Sequence, residues 1–161
     1  MRMTEGVEWA LHCCLNLAWV GPDRAVTATR LAAFHELPPA YLNKQLQPLA
    51  RAEILTSTPG PRGGFRLAQA PERITLLDVV TAIEGSTEVF RCTEIRQQGP
   101  LAGSPELYRD PCLIHAAMQR AELAWRRELA GQNLDDLTVA VSRARPGLPD
   151  RVRRWFHEAA G

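Results

Sequence analysis

Four cysteines and four histidines hold most of the reactive chemistry in this 161-residue chain. Cys92 and Cys112 stand at the two edges of a stretch rich in glycine and proline, with nineteen residues between them. Thiolates so placed could bind iron or zinc, or could themselves be oxidised. Structural zinc usually shows Cys-x2–4-Cys pairs, and none is present. Cys13 and Cys14, adjacent in an apolar segment, read as small buried hydrophobes. Groups that could complete a thiolate site are His12, His35, His115 and His157, with Glu5 and Glu8 as oxygen donors. No nucleophile elbow, Walker loop or dinucleotide fingerprint occurs, and Ser57 and Ser104 have no identifiable base, so enzyme chemistry is not expected.

At 45% hydrophobic and 23% charged residues the chain can bury a core, and it has no composition typical of disorder. No run approaches the roughly 18 to 20 apolar residues that a membrane span requires. The N-terminus, MRMTEGVEWALHCC, lacks the basic start and cleavage site of a signal peptide. A cytoplasmic location is expected, where thiols stay reduced. The formal net charge of +1 says little about partners, but its distribution says more. Between Ala40 and Arg66, Lys44, Arg51, Arg62 and Arg66 face one acid, Glu53, a modest basic footprint.

The elements that must position these groups are mostly helices. Val7, Leu11, Cys14 and Ala18 recur at spacings of three and four, predicting a first helix from Thr4 to Ala18 that Gly21-Pro22 follows. With Val7 taken as zero on that helix, Glu8 lies at about 100° and His12 at about 140°, flanking the core stripe. Trp9 lies near 200°, opposite the stripe. A second helix is expected over Thr27–His35, a tight turn over Glu36-Leu37-Pro38, and a third helix from Ala40 to Ala52 with Pro39 in its first turn. Leu42, Leu46 and Leu49 should face inward, leaving Tyr41, Asn43, Lys44 and Gln45 outward. Ile54–Thr58 and Phe65–Leu67, around Pro59-Gly60-Pro61-Arg62-Gly63-Gly64, predict a β-hairpin. Thr75 could cap a fourth helix, Leu76–Glu84, stopped by Gly85. Residues 86 to 111 read as a long loop. A long helix follows from Pro111 to Ala130 with Ile114, Met118, Ala121, Trp125 and Leu129 on one seam, for which a second copy of the chain is the simplest partner. Val152, Trp155 and Phe156 share one face of a short helix over Arg151–Ala159, expected to pack back onto the body.

The expected fold is therefore mainly α with a small β-hairpin: a winged helix-turn-helix with a long C-terminal dimerisation helix. Residues 1–85 would form the DNA-binding domain, 86–111 a ligand-bearing loop, and 112–161 the dimerisation helix and tail.

Leu31-Ala32, Leu37-Pro38-Pro39-Ala40-Tyr41-Leu42, Leu46, Leu49 and Ala52-Glu53-Ile54-Leu55 resemble the helix-turn-helix of the Rrf family of bacterial regulators, which includes IscR and NsrR. Gly60–Leu67 resembles the family's wing, and Ile74–Val80 with Ile83-Glu84-Gly85 the helix that follows. Gly6–Cys14, Cys92–Arg96 and Gly99–Ala102 are similar to the redox-sensing branch called RsrR. The resemblance implies a homodimeric transcription factor carrying a [2Fe–2S] cluster. Where cluster-binding members commonly carry three cysteines in a short loop, this loop offers two.

Two thiolates fill half of the four terminal ligand positions of such a cluster. The RsrR-like match aligns Glu8 and His35 as the other ligands, so the resemblance implies Cys92 and Cys112 from one subunit and Glu8 and His35 from the other. His12 and Trp9 become neighbours of the ligands and parts of a switch. For double-stranded operator DNA, Tyr41 and Lys44 suit phosphate contacts and Asn43 and Gln45 base edges. Arg62, beside Gly63 and Gly64 of the wing, suits the minor groove. A regulator that senses thiol oxidation through Cys92 or Cys112, a zinc-stabilised regulator, and a non-DNA-binding electron carrier are the alternatives.

Overall fold

The computed structural model describes residues 3–60, 63–85 and 88–158. They form seven α-helices and one two-stranded hairpin: α1 (Glu5–Val20), α2 (Ala28–Phe34), α3 (Pro39–Arg51), β1 (Leu55–Thr58), β2 (Gly64–Leu67), α4 (Leu76–Glu84), α5 (Leu113–Ala130), α6 (Leu134–Ala144) and α7 (Leu148–Glu158). The described residues up to Gly85, together with those from Leu129 onward, make one compact unit, and those from Glu88 to Glu128 make a second.

The first unit is a winged helix-turn-helix. Thr27 caps α2 by accepting from the backbone N–H of Arg30, and His35 closes it. Glu36 then takes a left-handed conformation at φ 55°, and the Leu37 N–H returns to the Ala32 carbonyl at 2.9 Å. That reversal turns the chain into α3, whose first residue is Pro39, where a missing N–H costs nothing. Leu42, Leu46 and Leu49 are all fully buried. The hairpin pairs Leu55 with Leu67 and Thr58 with Gly64, and Val26 adds one further bridge to Phe65.

Gly64 sits at φ 139°, and a Cβ there would lie 2.4 Å from the Val26 carbonyl oxygen. A Cβ on Gly63 would lie 2.1 Å from the Thr58 carbonyl oxygen, and Gly63 is buried. Both glycines are required by crossing backbone.

The single-stripe view of α1 is corrected by the structure. The helix runs two residues further, to Val20, and α3, α4, α6 and α7 all pack on it. Gly6, Val7, Ala10, Cys13, Cys14, Leu15, Asn16, Leu17 and Val20 are consequently buried, whereas Leu11 and Ala18 of the expected stripe are half-buried. Trp9 is half-buried against the core rather than lying opposite it.

The region after α5 differs most from the sequence reading. Two helices, α6 and α7, return to the winged helix and pack on α1: the tail helix packs back onto the body as expected, whereas α6 has no counterpart in that reading. A capping box holds the start of α6: Asn133 accepts from Asp136, whose carboxylate accepts from the Asn133 N–H. Thr75 and Asp78 make the same device at α4, and the two helix starts are pinned together, with the Leu76 N–H on the Gln132 carbonyl at 3.0 Å. α7 begins at Leu148, three residues before the expected start, and buries Val152 and Phe156.

In the second unit, two short 3-10 turns, Ile95–Gln97 and Pro105–Tyr108, interrupt the long loop. No residue of α5 is buried, and Leu113, Ile114, Met118 and Leu123 are exposed.

Candidate functional site

Cys92 and Cys112 are brought together despite the nineteen residues between them. Their thiols are within hydrogen-bonding reach, and both line a cavity of about 690 Å3 with Phe90, Ile95, Arg96 and Ile114. Arg96 ties the two arms of the loop. It grips the Glu94 carboxylate through Nε and Nη2, donates to the Asp110 carbonyl at 3.0 Å, and lies 5.5 Å from the Tyr108 ring centroid. Glu94 adopts a left-handed conformation at φ 53°.

The acidity of Cys112 follows from where α5 begins. The backbone N–H of His115 and, less strongly, that of Ile114 point at its sulfur, as do the Cys92 thiol and the Arg96 charge, and together they hold its pKa below the usual thiol value. By contrast, burial pushes Cys13 up to about 12 and Cys14 higher still. Those two thiols stay protonated and inert, as small core side chains should. His115 stands one turn after Cys112, 6.1 Å from the Phe90 ring, with Nδ1 buried and unpartnered.

The other expected ligands belong to the helix-turn-helix unit. Glu8 and His12 are exposed one turn apart on α1. The His35 ring meets Trp9 at 5.7 Å, His12 at 6.1 Å and Phe34 at 5.1 Å between centroids. Its Nε2 lies 3.0 Å from the amide nitrogen of Asn16, itself only 4% exposed. Burial, helped by His12, lowers the His35 pKa, so the ring is neutral near pH 7. Among the described residues no three His, Cys, Asp or Glu side chains form a ready metal-binding group.

Of the residues expected to meet DNA, Tyr41, Asn43 and Lys44 are exposed on α3. Gln45 differs from these three. It is half-buried, and its Oε1 would lie 2.5 Å from a Cβ on Gly6, so its amide fills the space that glycine leaves on α1. Gly63 and Gly64 shape the turn through close backbone approaches at Thr58 and Val26. Arg62 lies outside the described residues.

The sequence model of the Rrf2 family, described as iron-dependent transcriptional regulators, matches residues 3–140. The chain belongs to the Rrf2 family. It is 31% identical over 160 residues to protein aau3 of Rhizobium meliloti, covering 95% of this chain and 96% of that one. It is 31% identical over 134 residues to the HTH-type transcriptional regulator YffB of Lactococcus lactis, covering 83% and 85%. The fold is that of T. potens IscR, with a TM-score of 0.67 at 18% identity over 90% of this chain and 91% of that one. It is also that of CymR, the global cysteine regulator of B. subtilis, with a TM-score of 0.64 at 21% identity over 87% and 98%. The chain is thus an Rrf2-type transcriptional regulator, not an enzyme, and DNA binding goes with the family. No helix among its described residues is long and apolar enough to cross a membrane.

Sequence reasoning missed three residues beside the expected ligands, two in the helix-turn-helix unit and one in the loop unit. Asn16 carries no signal, because a single Asn in an apolar helix gains its meaning only from what it faces. Phe34 meets His35 and also stacks on Phe156 at 5.0 Å, a contact between residues 122 positions apart. Arg96 could have been found: an arginine two residues after an acid, beside a cysteine, is a plausible counter-charge for a thiolate.

Proposed function

We propose that this Rrf2 regulator is a homodimer that binds operator DNA through α3 and the wing and changes its affinity with the redox state of a [2Fe–2S] cluster. The pairing of Cys92 with an acidic Cys112 across the loop supports this reading most directly. The residues fit such a cluster at two positions: two thiols side by side in a cavity, one of them held toward thiolate, with Arg96 to balance negative charge. Glu8 and His35 of the second subunit are the proposed remaining ligands. When bound, the cluster would take up one electron and so add one negative charge at the site.

The chain's own residues then do the following. Asn16 holds the neutral His35 ring through Nε2 and leaves Nδ1 as the free nitrogen. An amide has both a donor and an acceptor, so Asn16 can also accept from Nε2–H if the ring proton moves there, as ligation through Nδ1 requires. His35 closes α2, so a force on its ring acts on the helix-turn-helix itself. Trp9 and His12 pack against that ring and would shift with it. Tyr41 and Lys44 would bind phosphates, Asn43 base edges and Arg62 the minor groove. The exposed Ile114 and Met118 on α5 are the proposed start of the dimer seam.

The test is purification without oxygen, an absorption spectrum and an iron and zinc assay, followed by operator titration with the cluster oxidised and then reduced at constant iron. A difference of 5- to 150-fold is expected, on the order of 1 to 3 kcal/mol. Equal affinities with iron intact would refute the redox switch. A second reading, reversible oxidation of the Cys92–Cys112 pair without a cluster, is favoured by the contact between the two thiols. Colourless, iron-free protein whose DNA binding responds to dithiothreitol would select it.

A further inference from the structure

The most basic stretch of the chain is not the helix-turn-helix. From Arg143 to His157 five arginines stand against Asp150 alone, a formal +4, while the segment from Ala40 to Arg66 carries +3. Three of these five arginines are on α7, which also carries Asp150 and ends at Glu158, beyond the stretch matched by the family model.

The structure mounts α7 on the helix-turn-helix. The guanidinium of Arg30 in α2 lies 3.4 Å from the Trp155 ring centroid and donates through Nη2 to the Trp155 carbonyl at 2.6 Å. Phe34, at the other end of α2, meets both Trp155 and Phe156 at 5.0 Å. Arg153 donates to the Trp19 carbonyl at 3.0 Å and pairs with Asp150. Arg24, just before α2, meets His157 at 2.9 Å. Arg24, Arg30 and Arg153 are therefore engaged in fastening α7.

Arg151 and Arg154 are left over. Both are exposed, neither has an ion-pair partner among the described residues, and Asp150 is taken by Arg153. They stand three apart on α7, where like charges repel and an added anion is favourable. Arg151 also lies one turn before Trp155, on the flank that holds Arg30. In helix-turn-helix docking the first helix, here α2, crosses the phosphate backbone while the second enters the groove.

From these placements we propose that α7 is a second DNA-contacting element, with Arg151 and Arg154 binding backbone phosphates beside the half-site that α3 reads. The inference rests on the reading of α3 as the recognition helix. Its contacts carry no sequence information; they add affinity and position the protein.

The test compares R151Q/R154Q with wild type on two duplexes: a 40-bp random sequence, and a sequence the wild-type protein selects from a random pool. Both side chains are solvent-exposed and have no ion-pair partner among the described residues, so the variant should keep the wild-type melting curve. Two lost phosphate contacts should reduce the slope of log K against log salt by about 1.8 on both duplexes. Wild type should accordingly lose roughly tenfold more affinity than the variant between 50 and 200 mM salt. Preference for the selected duplex should be unchanged. R120Q/R127Q on α5 removes the same charge elsewhere and should leave the slope alone. An unchanged slope in R151Q/R154Q, or an equal fall in R120Q/R127Q, would overturn the proposal. Asn43→Ala separates the two readings: if it abolishes preference for the selected duplex while R151Q/R154Q binds as wild type, α3 stands and α7 fails. If it preserves the preference, the reading of α3 fails, and the α7 proposal with it.

Discussion

Asn16→Ala is the variant that best separates the fold from the site. It removes the hydrogen bond to His35 Nε2, a 3.0 Å contact made by an amide in the core of α1. A net hydrogen bond contributes about 0.5–1.5 kcal/mol, and the small void left by truncation adds a few tenths. His35 is only half-buried, so water can reach Nε2 and hold the loss near 1–2 kcal/mol. For a chain of this size that lowers the melting temperature by roughly 2–8 °C, and the protein should remain folded at 25 °C. The effect on the site should be larger. With the amide gone, only ring packing against Trp9, His12 and Phe34 orients His35, and a hydrogen-bonding partner of this kind typically contributes 10- to 100-fold in metal affinity. Iron per chain should fall when a chelator is titrated against the anaerobic protein, and the visible spectrum should change. The assay pairs chelator titration with thermal unfolding followed by circular dichroism. Iron retention equal to wild type, with the expected loss in melting temperature, would show that Asn16 serves the core alone and that His35 is not held for a ligand.

Three further outcomes are expected. In metal-free protein near pH 7, iodoacetamide should modify Cys112 first and leave Cys13 and Cys14 unmodified until the chain unfolds. The helix N-terminus and Arg96 favour the Cys112 thiolate, while burial keeps the other two thiols protonated far above neutral pH; peptide mapping by mass spectrometry reads the order. Gly64→Ala should destabilise by at least about 2 kcal/mol, because it combines positive-φ strain with a backbone clash at Val26. Gly21→Ala, with φ 96° and open space around it, should cost about 1 kcal/mol, and similar losses for the two would remove the clash from the account. Met118→Glu, on the exposed side of α5, should shift the protein toward monomer in sedimentation without lowering the melting temperature of the winged-helix unit; an unshifted dimer would place the seam elsewhere.

The sequence by itself determined the local devices. Threonine caps, Pro39 at a helix start, leucines at spacings of three and four, and Gly/Pro around the wing each act through neighbours a few residues away, so α2, α3, the hairpin and α4 were legible within a residue or two. The same local rule placed Cys92 and Cys112 at the edges of one loop, and the Asn133-x-x-Asp136 box would have announced α6. Tertiary structure decided what depends on partners distant in sequence. Glycine at position 6 let α3 approach α1 and turned the Gln45 amide inward. Four helices packing on α1 buried both of its cysteines and Asn16, and drew Trp9 onto the core, where a single helix would show one stripe. Whether His35 is a solvated helix end or an oriented, neutral imidazole depended on Asn16 and Phe34, and through Phe34 on the tail of the chain. Periodicity records which residues avoid water; it does not record which surface they avoid it against, and that surface is what gives His35 its charge state.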